Sequence, residues 1–162
     1  MKPELGFIPR REFLVLIVLV FAIALWWIVP TYRQARADAS VKELRAKDGG
    51  FKIYESVELP AQRFDEFGEI RVPHAKSRGR DDEFFYTSEI TWIVPEGPGV
   101  GDLAVWRGHD RLIRTRDNKL LGEAVYCGRH GGDPIGPWHP SSYGCPEKLD
   151  VKYLAQHVFT KQ

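Results

Sequence analysis

Polar and apolar positions along this chain fall into three regimes. From Phe13 to Val29 every residue is apolar, and Pro30 follows. At a helical rise of 1.5 Å per residue these 17 positions make roughly 25 Å of helix, close to the ~30 Å hydrocarbon thickness of a bilayer. Residues 13–30 therefore predict a transmembrane anchor, preceded by a short tail over residues 1–12. Trp26 and Trp27 stand where an interfacial aromatic belt would lie. The second regime, residues 31–50, has Ala37, Val41 and Leu44 at i, i+4, i+7 among charged residues. It predicts a helical stalk that ends at Asp48-Gly49-Gly50, with a left-handed glycine cap. The stripe Ala37–Val41–Leu44 is expected to pack back onto the chain's own sheet.

From residue 51 onward the period changes to two. Residues 51–59 alternate, predicting one half-buried strand with Phe51, Ile53, Val57 and Leu59 inward, stopped by Pro60. Residues 76–83 are a charged loop. Residues 83–94 predict a strand, and residues 102–116 and 119–127 a hairpin around Asp117-Asn118. Gly108 and Gly122 suggest bulges inside it. Residues 128–146 are too rich in Gly and Pro for regular structure and predict a compact loop. Residues 150–159 are expected to close the domain as a short helix or strand. The fold class is α+β: an N-terminal transmembrane helix extending into an amphipathic helix, followed by a mainly antiparallel β-sheet domain over residues 51–162.

Charge narrows the function classes. The 162 residues carry 23 Lys+Arg and 22 Asp+Glu, and residues 31–162 are neutral on balance. A general nucleic-acid binder needs a basic excess, so nucleic acid is not expected as a partner. The expected partners are the membrane, through Phe13 to Val29, and a protein. The apolar run is longer than the ~7–15 residues of a signal-peptide core, which favours a retained anchor over a cleaved signal. Lys2, Arg10 and Arg11 precede it, whereas Arg33, Arg36, Lys42, Arg45 and Lys47 follow it. The short basic tail favours a cytoplasmic N-terminus with the domain outside, although the Lys/Arg count alone points the other way.

Two cysteines, Cys127 and Cys145, bracket the Gly/Pro-rich loop. A disulfide would staple it, worth ~3 kcal/mol on a chain-entropy basis, and would suit a domain outside the cytosol. Cys127, His130, His139 and Cys145 offer an alternative Cys₂His₂ zinc site, and two unrelated thiols a third reading. No other cofactor is expected. Ser141 and Ser142 lie near His139 without the G-x-S-x-G elbow of a serine hydrolase. Gly128, Gly131, Gly132 and Gly136 suit turns better than an anion-binding nest. If the loop is a contact surface, Trp138, Tyr143, His139 and Arg129 are its candidate binding residues, and Trp106 is a further aromatic candidate.

Several segments together resemble a group of small, uncharacterised proteobacterial proteins. They are Ala46-Lys47-Asp48-Gly49-Gly50, Tyr54-Glu55-x-Val57-x-Leu59-Pro60, Lys119-Leu120-Leu121-Gly122-Glu123, Arg129-x-Gly131-Gly132-Asp133 and His139-Pro140-Ser141-Ser142-Tyr143-x-Cys145-Pro146. The resemblance implies a bacterial envelope protein held by an anchor or a lipid, and it implies no activity. The apolar helix with Pro30-x-Tyr32 also resembles pilin-like subunits, but Pro9, Arg10 and Arg11 stand where a processed pilin is apolar. The expected function is a membrane-anchored, non-enzymatic binding or assembly module on the periplasmic face of a bacterial inner membrane. The alternatives are a metal-dependent or Ser/His hydrolase built on the 127–146 loop, and a pilin-like filament subunit.

Overall fold

The apolar run and the stalk form one helix. In the computed structural model, which describes residues 9–97, 99, 101–137, 139–145 and 150–162, α1 spans Arg10–Asp48, 39 residues without a break. It is long and apolar enough to cross a membrane. Pro30 lies inside it and cannot donate to the carbonyl four residues back. The Thr31 hydroxyl donates instead to the neighbouring carbonyl of Trp27, at 2.7 Å, as Ser and Thr do beside prolines in membrane helices. The expected left-handed cap at Gly49 is not formed. Gly49 is extended, with its N–H on the Arg45 carbonyl, and Gly50 takes the positive φ, +128°, that turns the chain into the sheet.

The sheet is antiparallel, with strand order β1-β5-β4-β3 and β6 beside β1 on the same edge of β5. Its strands are β1 (Gly50–Ile53), β3 (Phe84–Val94), β4 (Ala104–Arg114), β5 (Lys119–His130) and β6 (Ser142–Cys145). The β4–β5 hairpin turns at Asp117-Asn118 as the sequence predicts, with Asn118 at φ +54°. Residues 51–59 do not make one strand. β1 pairs with β5, whereas β2 (Val57–Leu59) leaves to form a parallel pair with the distant β7 (Phe159–Lys161). Phe51 and Ile53 are exposed rather than inward, because β1 lies at the sheet's rim; the Phe51 ring meets Tyr153 edge to face and His157 at a tilt instead. The expected bulge near Gly122 is present as a register shift at Leu121. At Gly108 the register is regular. The Gly/Pro-rich loop is shorter than expected, since β5 continues to His130 and β6 returns along it.

Among the described residues two cores sit on opposite faces, because Val105 and Leu112 are an odd number of positions apart on β4. On one face Ala37 and Val41 of α1 pack on Val105 and Cys127, flanked by Leu44, Leu103 and Tyr143. The amphipathic stripe thus docks on the chain's own sheet. On the other face α2 (Val151–Val158) lays Leu154, Ala155 and Val158 on Leu112, Leu121 and Ala124, joined by Phe84, Leu59 and Phe159. Asp150 caps α2 by accepting from the Tyr153 N–H at 2.8 Å.

Candidate contact surface

α1 runs alongside β5, and among the described residues three levels of contact fix it there. Nearest Pro30, the Gln34 amide donates to Asp133 at 3.0 Å and to the Ser141 hydroxyl at 2.7 Å. One turn on, Asp38 accepts from Arg129 Nε at 2.5 Å. Arg129 is 5% exposed. Its other donors reach the Gly131 carbonyl and, at 3.1 Å, the Ser141 hydroxyl. Asp133 also accepts from the Ser141 N–H at 2.6 Å, and these bonds with the Arg129 charge hold its carboxyl below the usual range although partial burial opposes them. At the far end Asp48 lies 3.7 Å from Arg107. Each member of the central cluster is hydrogen-bonded to another member of it, so the arrangement orients the helix.

The residues singled out in the sequence divide accordingly. Arg129 is turned inward onto Asp38, and Tyr143 is half-buried against the α1 docking core. Ser141 is occupied by Gln34, Arg129 and Asp133 rather than by a histidine. His130 and His139 are exposed, and among the described residues no three His, Cys, Asp or Glu gather as a metal would require. Trp138 lies outside the described residues. Cys127 is buried, and the backbone of Cys145 is its direct partner in the β5–β6 register; the Cys145 side chain lies outside the described residues. The amides of Gly131 and Gly132 donate to the Ser141 and Gly101 carbonyls, consistent with turn-making.

A different surface emerges on the α2 side of the sheet, beyond the end of α2. Register places Ser88, Ile90 and Trp92 of β3 beside Asp110, Gly108 and Trp106 of β4, and these beside Ala124, Tyr126 and Gly128 of β5. Gly108 and Gly128 make the floor. A Cβ on Gly108 would stand 2.4 Å from the Tyr126 ring, and one on Gly128 2.5 Å from the Trp106 ring. The glycines thus let the Trp106 and Tyr126 rings close over the backbone and meet edge to face, 5.6 Å between centroids. Ile90 is 55% and Trp92 50% exposed. At the inner margin Asp110 is 3% exposed and accepts from the Tyr126 hydroxyl at 3.3 Å and from Ser88. Burial pushes its carboxyl up, against those hydrogen bonds, and burial followed by the Asp110 charge pushes the Tyr126 hydroxyl up as well.

On the α1 side, His109 lies 3.0 Å from Glu123, which also accepts from the Tyr54 hydroxyl at 2.5 Å. The Tyr54 bond, with His109, holds the Glu123 carboxyl below its usual range although burial opposes it. Sequence reasoning named Trp106 alone from the aromatic face. The missed signal was the spacing of Gly108 and Gly128 against Tyr126 and Trp106 across one hairpin. Gln34 and Asp38 were missed because they are polar residues on the helix stripe that faces inward. Comparison of the chain with models of known protein families, with curated proteins and with solved structures finds no match.

Proposed function

We propose that this protein is a single-pass inner-membrane protein of bacteria whose periplasmic domain is a non-enzymatic binding or assembly module held at a set height above the bilayer. The observation that carries this reading is the continuity of α1 from its apolar run into the sheet, with the Gln34, Asp38 and Val41 contacts joining anchor and domain as one piece. A module on a flexible tether would not need these buried contacts. The bacterial envelope setting rests on the resemblance of residues 46–146 to small envelope proteins. The aromatic face of Ile90, Trp92, Trp106 and Tyr126 supports a binding role, since apolar patches with large aromatics mark contact sites.

The periplasmic orientation predicts a Cys127–Cys145 disulfide. Directly opposed antiparallel residues have Cα atoms about 4.5–5.5 Å apart, within the range a disulfide spans. The test is thiol labelling in intact cells with a maleimide that cannot cross the inner membrane. The chain should react only after a reductant is added, and it should stay with membranes through an alkaline wash. Labelling that requires lysis of the inner membrane, or a chain released by the wash, rejects the reading.

A further inference from the structure

The outer edge of β3 is half used. The Tyr86 N–H donates to the Pro73 carbonyl at 3.0 Å, and the Tyr86 carbonyl accepts from the Ala75 N–H at 2.8 Å. Tyr86 therefore turns its backbone groups away from β4, and alternation turns those of Ser88, Ile90 and Trp92 the same way. The segment carrying Pro73 and Ala75 bends off after His74, and among the described residues no backbone group meets that outward row beyond Tyr86. β3 contains no proline, lysine or glycine to blunt the edge. A register shift between Trp92 and Val94 ends the regular edge. Residues 88–92 thus present a short row of directed donors and acceptors. Ile90 and Trp92 stand on one face, and Glu89, paired with Arg111 at 3.1 Å, stands on the other with Thr91.

Lipid is too far away to be the occupant. Val105, next to Trp106, packs on Ala37 and Val41, which lie about 10–17 Å beyond Pro30 along the helix axis. The headgroup layer extends only ~5–8 Å past the hydrocarbon. A second copy is excluded by symmetry. Antiparallel pairing of two β3 edges needs a two-fold axis perpendicular to the sheet. The sheet stands alongside α1, so that axis would lie in the plane of the membrane and send the two anchors in opposite directions. A two-fold axis along β3 brings like residues level with each other, which the staggered bonds of a parallel ladder do not accept.

We infer that residues 88–92 are a strand-addition site for an extended segment of another protein, apolar at alternate positions. Its backbone continues the sheet on Ser88, Ile90 and Trp92. Its apolar side chains join Ile90 and Trp92 on the aromatic face, and its polar ones lie beside Glu89 and Thr91. The inference rests on the reading of the domain as an anchored binding module and names the chemistry of what it binds.

The test uses the full chain in phosphatidylethanolamine/phosphatidylglycerol nanodiscs. The probe is a synthetic peptide of alternating valine and threonine, and the readout is residue-resolved amide exchange. Exchange at Ser88, Ile90 and Trp92 should slow by about tenfold or more with the peptide present. The effect should vanish when alternate peptide nitrogens are methylated, and in Ile90→Lys and Trp92→Lys variants. Both side chains are exposed, and unchanged protection of β5 verifies the fold of each variant. Unaltered exchange with the peptide, or slowing that survives methylation, overturns the proposal. Slowing that appears without peptide when two chains share a disc assigns the edge to a second copy and overturns it too. A chain that fails to remain in the disc defeats the anchoring reading, while the exchange result still decides the edge.

Discussion

Arg129 shows how a single residue can hold two elements in place. Its guanidinium is buried and divided among Asp38, Ser141 and the Gly131 carbonyl. Removing one partner of such a pair leaves the other desolvated and unpaired, which is costlier than removing both. Arg129→Ala should therefore cost about 3 kcal/mol in chemical unfolding of the full chain in detergent, whereas Arg129→Met combined with Asp38→Leu should recover most of that loss. Asp110 makes the opposite case. Its carboxyl is raised in the folded state by burial, so the folded protein holds the proton more tightly than the unfolded chain does. Stability is then lost as pH climbs above the ordinary aspartate value of 3.8 toward the raised one. Asp110→Asn, which keeps an acceptor for Tyr126, should gain on the wild type as pH rises from 4 to 7. Thermal unfolding across that range should show no difference at the acid end, and a gap that is constant with pH would contradict the assignment.

Among the elements, α1 depends on its docked half. Val41 is fully buried against Val105 and Cys127. Val41→Asp should release residues 34–48 from the sheet while leaving the α2 side folded, at a cost of about 3 kcal/mol or more. Hydrogen exchange should show lost protection confined to that stretch of α1 and its contacts on β5 and β6. The elements legible in the sequence were those set by local signals. The apolar run and the Gly49-Gly50 pair bounded α1, and Asp117-Asn118 located the hairpin. Elements set by distant partners were not legible. Residues 51–59 alternate cleanly, yet they split because the amides of Tyr54 and Glu55 both donate to the Leu121 carbonyl at the β5 bulge. Beyond that break, Val57–Leu59 finds its partner in Phe159–Lys161, a pairing no local pattern announces. The aromatic face was not legible for a related reason. Gly and Pro drew attention to residues 128–146, while the aromatic face is assembled across three strands from Ile90, Trp92, Trp106 and Tyr126, and only the register brings them together.

At the scale of the whole molecule, the sheet is fixed along the second half of α1, and the first half extends beyond it. If α1 is stiff through Pro30, inserting seven residues, two helical turns, between Tyr32 and Arg33 should lift the domain about 10 Å and keep its facing. Energy transfer from a dye on the sheet to a labelled bilayer should report that step, whereas a jointed helix would give no change in mean distance. Single-residue insertion at the same place should turn the sheet by about 100° instead.

The parallel pairing of β2 with β7 has a consequence for the order of assembly. An anchored α1 would enter the membrane early, when the strands that cover Ala37 and Val41 are still to come. β2 must then wait for Phe159–Lys161, and Leu59 for Leu154, Val158 and Phe159, before their shared core can close. Until that stretch emerges, the domain is an incomplete sheet whose apolar strands are uncovered. Long-range pairings of this kind close late and pay their loop entropy first. The slow step in maturation is therefore expected at the chain's far end, and small changes to Phe159 or Val158 should reduce the yield of folded protein more than their contacts alone would suggest.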